Sequence, residues 1–290
     1  MNGTQEIVIV SGKGGTGKTT VSASFAMLAK NCVTADCDVD ASNIEMLLSP
    51  TPFKREDFTG GAHAFVDVSK CVACGKCAAV CRFEAIEFSE ENYAVIRADC
   101  EGCGACAFVC PEGAIEMRDI IGGEIFTSET RFGPLVHARL KPGLGNSGKL
   151  ATEVKARARK LAKNSGASLI IVDGPPGVGC PAIASLSGAS KVLAVTEPTP
   201  SGEHDLRRIL ELCSHFKIPA FVCINKADLN VDATARIESV CLELGAESVG
   251  RIPYDAAALE CTRAGIPMVA KPSLAADAIR AVWEKFMSKP

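Results

Sequence analysis

Ile7-Val8-Ile9-Val10-Ser11-Gly12-Lys13-Gly14-Gly15-Thr16-Gly17-Lys18-Thr19-Thr20 is the stretch that decides the fold. Its four leading β-branched residues read as a strand buried on both faces. The glycine run behind them satisfies G-x-x-x-x-G-K-[ST] in the required setting, between a strand and a helix. Gly12, Gly14, Gly15 and Gly17, with Thr16 and Thr20 around them, let the backbone curl until its N–H groups face phosphate oxygens, and the next helix adds its positive end. Lys18 is expected to neutralise the β and γ oxygens of a nucleoside triphosphate, and Thr19 to offer its hydroxyl to Mg2+.

Outward from this loop, short apolar runs recur at 169–172, 192–195 and 220–224, separated by helical stretches at 149–163, 202–215 and 233–244. Strands that are apolar throughout belong to parallel sheets covered by helices, so the spacing predicts a doubly wound, mostly parallel α/β sheet. Ligands of such sheets bind at the carboxyl ends of the strands. The run at 169–172 ends in Asp173-Gly174-Pro175-Pro176-Gly177. A strand-end acid can hold the Mg2+ shell, and a glycine shortly after it can present its N–H to a γ-phosphate, so Asp173 and Gly177 read as a nucleotide switch. Asp36-Cys37-Asp38-Val39-Asp40-Ala41-Ser42-Asn43 has the alternating acids of a calcium loop. It lacks the sixth-position glycine and twelfth-position glutamate, where Ala41 and Leu47 stand, and calcium is excluded.

Eight of the 15 cysteines lie between 71 and 110. Cys71, Cys74, Cys77 and Cys81 have the spacing C-x2-C-x2-C-x3-C, and Cys100, Cys103, Cys106 and Cys110 repeat it before Pro111. This is the run of two-cluster bacterial ferredoxins, in which the fourth cysteine of each run crosses to the other cluster. Cys71, Cys74, Cys77 and Cys110 are then expected to hold one 4Fe-4S cluster, and Cys100, Cys103, Cys106 and Cys81 the second. Zinc would leave the third and fourth cysteines of each run unexplained. Arg82 replaces the usual proline after Cys81, and a cation there is expected to raise the potential of the cluster Cys81 binds. The reading places an α+β ferredoxin-like insert at 63–117 within an ATPase domain formed by 1–62 and 118–290. Four cations against nine acids give the insert a net charge of −5.

The chain of 290 residues is 47% apolar and 22% charged, which excludes disorder, and its net charge of −3 speaks against a general nucleic-acid binder. No run approaches the ~20 apolar residues of a membrane span, and no export signal is visible. Cysteine-rich composition without such a signal points to the reducing cytoplasm, where thiols serve metals. Cys32, Cys180, Cys213, Cys223, Cys241 and Cys261 read as ordinary buried thiols, and the four histidines as structural. The stripe Ile279, Val282, Trp283, Phe286 and Met287 reads as a helix packed on the core.

Lys13 is a second lysine inside the phosphate loop, and with it the sequence resembles the MinD/ParA family of deviant Walker ATPases, which also holds the nitrogenase iron protein and the Mrp-type cluster carriers. The cysteine runs refine this to the MinD-superfamily ATPases with an inserted ferredoxin domain. The resemblance implies an ATP-dependent dimer, with itself or with a related ATPase, in which Lys13 reaches the partner's phosphates. It also implies that Asp38 orients the attacking water, while Asp40 departs from the family pattern. Asn225-Lys226-Ala227-Asp228 taken alone is compatible with guanine; the resemblance assigns the Asn225 amide to adenine, with the loop carrying Pro253 and Asp255 packed beside the base. Three tasks follow as alternatives: nucleotide-gated electron transfer from the clusters to a redox partner, delivery of a metal cluster to a client, or MinD-like positioning in which the clusters only stabilise the insert.

Overall fold

The computed structural model describes residues 4–88, 93–95 and 99–290. Its strands are β1 (Gln5–Ser11), β2 (Cys32–Asp36), β3 (Thr51–Val66), β4 (Ile86–Phe88), β5 (Tyr93–Val95), β6 (Ile115–Thr130), β7 (Gly133–Leu140), β8 (Leu169–Pro176), β9 (Lys191–Thr196), β10 (Ala220–Asn225) and β11 (Glu247–Ile252). Its α-helices are α1 (Lys18–Ala29), α2 (Glu45–Leu48), α3 (Lys76–Val80), α4 (Ala105–Val109), α5 (Ser147–Ser165), α6 (Cys180–Leu186), α7 (Pro200–His215), α8 (Val231–Glu243), α9 (Ala257–Ala264) and α10 (Leu274–Met287).

The chain divides into two compact units, one of 1–55, 125–139 and 147–290, the other of 56–124 and 140–146. In the larger, β11, β10, β9, β1, β8, β2 and β7 are neighbours in that order and every pair from β11 to β7 is parallel. The apolar runs explain this. Ile7, Val8 and Ile9 of β1, Ile171 and Val172 of β8 and Val192 and Leu193 of β9 are fully buried, as strands sandwiched between helix layers must be. Register then does the positioning. Asp36 pairs with Asp173 across β2 and β8, and Thr196 pairs with Ile224 across β9 and β10, so the residues that follow emerge together at the carboxyl edge.

The terminal helix α10 buries Ile279, Val282 and Phe286, and Phe25 of α1 meets Trp283 edge-on at 4.8 Å. Each such buried side chain contributes about 1.5–3 kcal/mol. The ammonium of Lys191, fully buried, donates to the carbonyls of Phe286 (2.9 Å) and Lys289 (2.6 Å) and closes the end of that helix. Among the described residues no helix is long and apolar enough to cross a membrane.

The smaller unit is reached along β3 and left along β6. It has its own core of Ala64, Cys77, Ile86, Cys106 and Ile115, and its contact-dense extent is wider than 63–117 because both of these strands run beyond that span. The repeat in sequence is a repeat in conformation. α3 and α4 each start behind a left-handed glycine, Gly75 (φ 76°) and Gly104 (φ 75°), and end at cysteines of matching backbone, Cys81 (φ −74°) and Cys110 (φ −73°).

Candidate nucleotide site and cysteine cavities

Lys18 opens α1 directly behind Gly17, whose φ of 92° only glycine adopts without strain. A Cβ at Gly17 would also lie 2.2 Å from Nδ2 of Asn225, so the loop closes onto β10 because this residue has no side chain. The Asn225 amide donates to the Thr16 carbonyl at 2.7 Å, tying the phosphate loop to the strand. Lys18 is only 6% exposed. Its ammonium lies 2.9 Å from Asp173 Oδ1 and 3.8 Å from Asp38 Oδ2. Burial alone would lower its pKa, but the carboxylates of Asp173, Asp36 and Asp38 outweigh that and raise it. Thr19 donates to Asp173 Oδ2 at 2.8 Å and Ser22 donates to Oδ1 at 2.6 Å, so both Asp173 oxygens are engaged. Gly177 adopts φ 84° and donates its N–H to the Ser11 carbonyl at 2.8 Å.

Three acids face one lysine here, and two of them, Asp36 and Asp38, are harder to ionise. Asp36 is fully buried; burial, then Asp173, push its carboxyl up to about 7. It accepts from the Asp38 N–H at 3.0 Å and from Ser42 at 2.7 Å, and so ties the loop carrying Asp38 back to the sheet. Burial, only partly offset by Lys18, pushes Asp38 up to about 6. Asp36 is a site residue the sequence reading passed over. Its signal was the one that found Asp173, an acid ending an apolar strand.

Thr16 is buried on the wall of a cavity it shares with Gly14, Gly15, Gly17, Lys18, Thr19, Thr20, Asp38 and Asp40. Its hydroxyl has no partner among the described residues, as expected of a group that addresses a ligand. With Lys18, Thr19 and the carboxylates of Asp173 and Asp38 on hand, the donor set fits a Mg2+-triphosphate. An adjoining cavity of about 200 Å³ is lined by Asn225, Lys226, Pro253, Tyr254 and Asp255 and suits a base. Asp228, the carboxylate that would read guanine, instead accepts the Tyr254 N–H at 2.6 Å. The Asp255 carboxylate is likewise spent on the backbone N–H of Ala257 at 2.9 Å.

Lys13 turns back onto its own chain. Its ammonium is 2.6 Å from Glu197 Oε1 and donates to Ser201 (3.0 Å) and Thr199 (3.3 Å). Glu197, also unforeseen, stands at the end of β9.

The smaller unit holds two cavities, and they sort the cysteines. Cys71, Cys74, Cys77 and Cys110 surround one, and Cys81, Cys100, Cys103 and Cys106 the other. The Cys81 sulfur accepts the Ala85 N–H and the Cys110 sulfur that of Ala114, at 3.4 and 3.2 Å, the stabilisation a cluster thiolate needs. Four thiols around each cavity fit a multi-atom cubane. Arg82 is exposed, directly after Cys81. Cys180, expected to be a buried thiol, is instead exposed at the start of α6, while Cys32, Cys213, Cys223, Cys241 and Cys261 are buried as expected.

Residues 64–117 match the family of 4Fe-4S dicluster domains. Over the longer chain, MJ0578 of Methanocaldococcus jannaschii is 38% identical across 228 residues, 78% of this chain and 79% of its own. MJ0579 of the same organism is 30% identical across 261 residues, 88% of each chain. Its iron-sulfur cluster carrier protein is 23% identical over 98% of this chain and 84% of that one. In fold, the chain is similar to the cell division ATPase MinD of Pyrococcus furiosus (TM-score 0.59, 19% identity, 99% of both chains) and to MinD of Pyrococcus horikoshii complexed with Mg-ADP (TM-score 0.58, 19% identity, 98% of this chain and 96% of that one).

Proposed function

The chain belongs to the family of MJ0578 and MJ0579, with a MinD-like fold and a 4Fe-4S dicluster domain, and from that premise we propose that it is a cytoplasmic redox ATPase. In this reading ATP binding and hydrolysis, in a dimer with itself or a related ATPase, gate electron delivery from two 4Fe-4S clusters to a partner protein. Residues 1–62 and 118–290 handle nucleotide, and 63–117 carry the clusters. The observation that carries the proposal is the sorting of eight thiols into two separate four-cysteine cavities within a chain that also has a complete phosphate loop. Clusters bound there supply one-electron chemistry at four-thiolate sites, which favours retention over release.

The chain's own residues supply the rest. The N–H groups of Gly12, Gly14, Gly15 and Gly17 cradle phosphates, Lys18 neutralises them, and Thr19 with Asp173 positions Mg2+. Asp38, once ionised, orients the attacking water, and Lys13 serves the partner's site. Asn225, whose amide now donates to the Thr16 carbonyl, addresses adenine once nucleotide binds, Pro253 and the Asp255 loop wall the base cavity, and Gly177 reports the γ-phosphate with Asp173 when its N–H leaves the Ser11 carbonyl. Engagement of the Asp228 carboxylate by the Tyr254 N–H supports adenine over guanine.

Likeness to the iron-sulfur cluster carrier protein favours a second reading, delivery of a cluster to a client. Iron content after ATP turnover with an apo-client separates the two. Electron transfer requires the iron to stay with this chain, and delivery requires its ATP-dependent loss.

A further inference from the structure

Glu197 is where the phosphate loop and the base loop meet. Its Oε1 lies 2.6 Å from the Lys13 ammonium and its Oε2 2.8 Å from that of Lys226. Lys226 also donates to the Gly15 carbonyl at 3.0 Å, from a backbone with φ 55° that a lysine adopts only at a cost. The Glu197 side chain is 13% exposed, so the pair is shielded more than a surface ion pair. Burial works against its charge, yet the ammonium groups of Lys13 and Lys226 outweigh this and hold its carboxyl below the ordinary range. Thr199 and Ser201, on the turn that starts α7, complete three oxygen partners for Lys13 on its own chain.

We infer that Glu197 is a positioning residue that stores Lys13 within its own protomer, so that the second copy must draw this ammonium off Glu197 to complete the shared site. The inference rests on the proposed role of Lys13 across a dimer and adds the residue that sets how readily it is released. Lys226 is the reason the carboxylate remains in place when Lys13 leaves, since its second oxygen stays paired. A lysine held by three partners cannot contact another protomer's phosphates without losing them. The stored state therefore weakens dimerisation by its own interaction energy. Each shielded ion pair released corresponds to about three- to tenfold, and a symmetric dimer releases two, so its dissociation constant changes about ten- to hundredfold.

The test uses the full chain with its clusters reconstituted. Dimer dissociation constants are measured by sedimentation with a slow ATP analogue, and ADP affinity by calorimetry, for the wild type, Glu197→Gln, Ser201→Ala and Lys13→Ala. Storage requires Glu197→Gln to dimerise about ten- to hundredfold more tightly with ADP affinity within about twofold. An unchanged or weaker dimer in Glu197→Gln overturns it. A simple tie between the two loops would instead lower ADP affinity and leave the dimer no tighter. Should Glu197→Gln fail to fold, Ser201→Ala decides: a smaller tightening supports storage, and none overturns it. Lys13→Ala separates this from the underlying reading. If it dimerises like the wild type, Lys13 has no role across the interface. If it does not dimerise while Glu197→Gln is unchanged, only the storage is wrong.

Discussion

Gly17 leaves no room for a side chain. With φ 92° and the Asn225 amide 2.2 Å from where a Cβ would stand, Gly17→Ala strains the loop and must displace the Asn225 amide that ties it to β10. Nucleotide affinity, read by calorimetry, is expected to fall at least about tenfold, with the far-UV spectrum unchanged. Asp36 carries the pH dependence. Its carboxyl is pushed up to about 7 from an ordinary value near 3.8, so between these values the folded state holds the extra proton and stability falls as pH rises toward 7. Thermal unfolding without nucleotide or Mg2+ is expected to show that decline, and Asp36→Asn to flatten it. A wild-type melting temperature rising from pH 5 to 7 relative to Asp36→Asn would contradict this origin. For Asp38, pushed up to about 6, ATP turnover is expected to rise across pH 6 as the carboxylate forms, and to be lost in Asp38→Asn. Gly12 to Thr20 and Asp173 could be read from the sequence because their spacing along one segment is itself the signal. Asp36 carried the same strand-end signal, though its pairing with Asp173 emerges only from the register of β2 against β8; Glu197 could not be read, because what makes it matter is its meeting with Lys226, a partner distant in the chain.

At the scale of elements, the two cysteine runs show how a repeat in sequence becomes matching helices, each behind a left-handed glycine. The repeat is imperfect where it matters. Ala73 adopts φ 52° in open surroundings at the place where Gly102 stands in the second run, but a Cβ on Gly102 would come 2.0 Å from the Ala62 carbonyl. Gly102→Ala is therefore expected to displace the loop bearing Cys100 and Cys103 and to lose about half the iron and acid-labile sulfide, with the first cavity intact. Full iron content in that variant would count against two independent cavities. The parallel strands and α10 were legible because apolar runs and stripes are local patterns. The reach of β3 and β6 beyond the cysteine runs was not, since β3 reads as exposed and charged from Thr51 to Asp57, without the apolar alternation that marks a strand.

On the scale of the whole molecule, one polypeptide holds a cluster of Lys18, Asp38 and Asp173 and two thiol cavities, and the chain passes between the units along β3, β6 and the segment 140–146. If nucleotide alters the clusters, the clusters must alter nucleotide affinity by the same free energy. The most direct measurement is the midpoint potential of each cluster by potentiometric EPR, without nucleotide, with Mg-ADP and with a slow ATP analogue. A coupling of ~1–3 kcal/mol moves a one-electron midpoint by about 40–130 mV, and the account expects a shift of that size between the ADP and ATP-analogue states. Midpoints that coincide in all three states, in protein that binds nucleotide and carries both clusters, would contradict it.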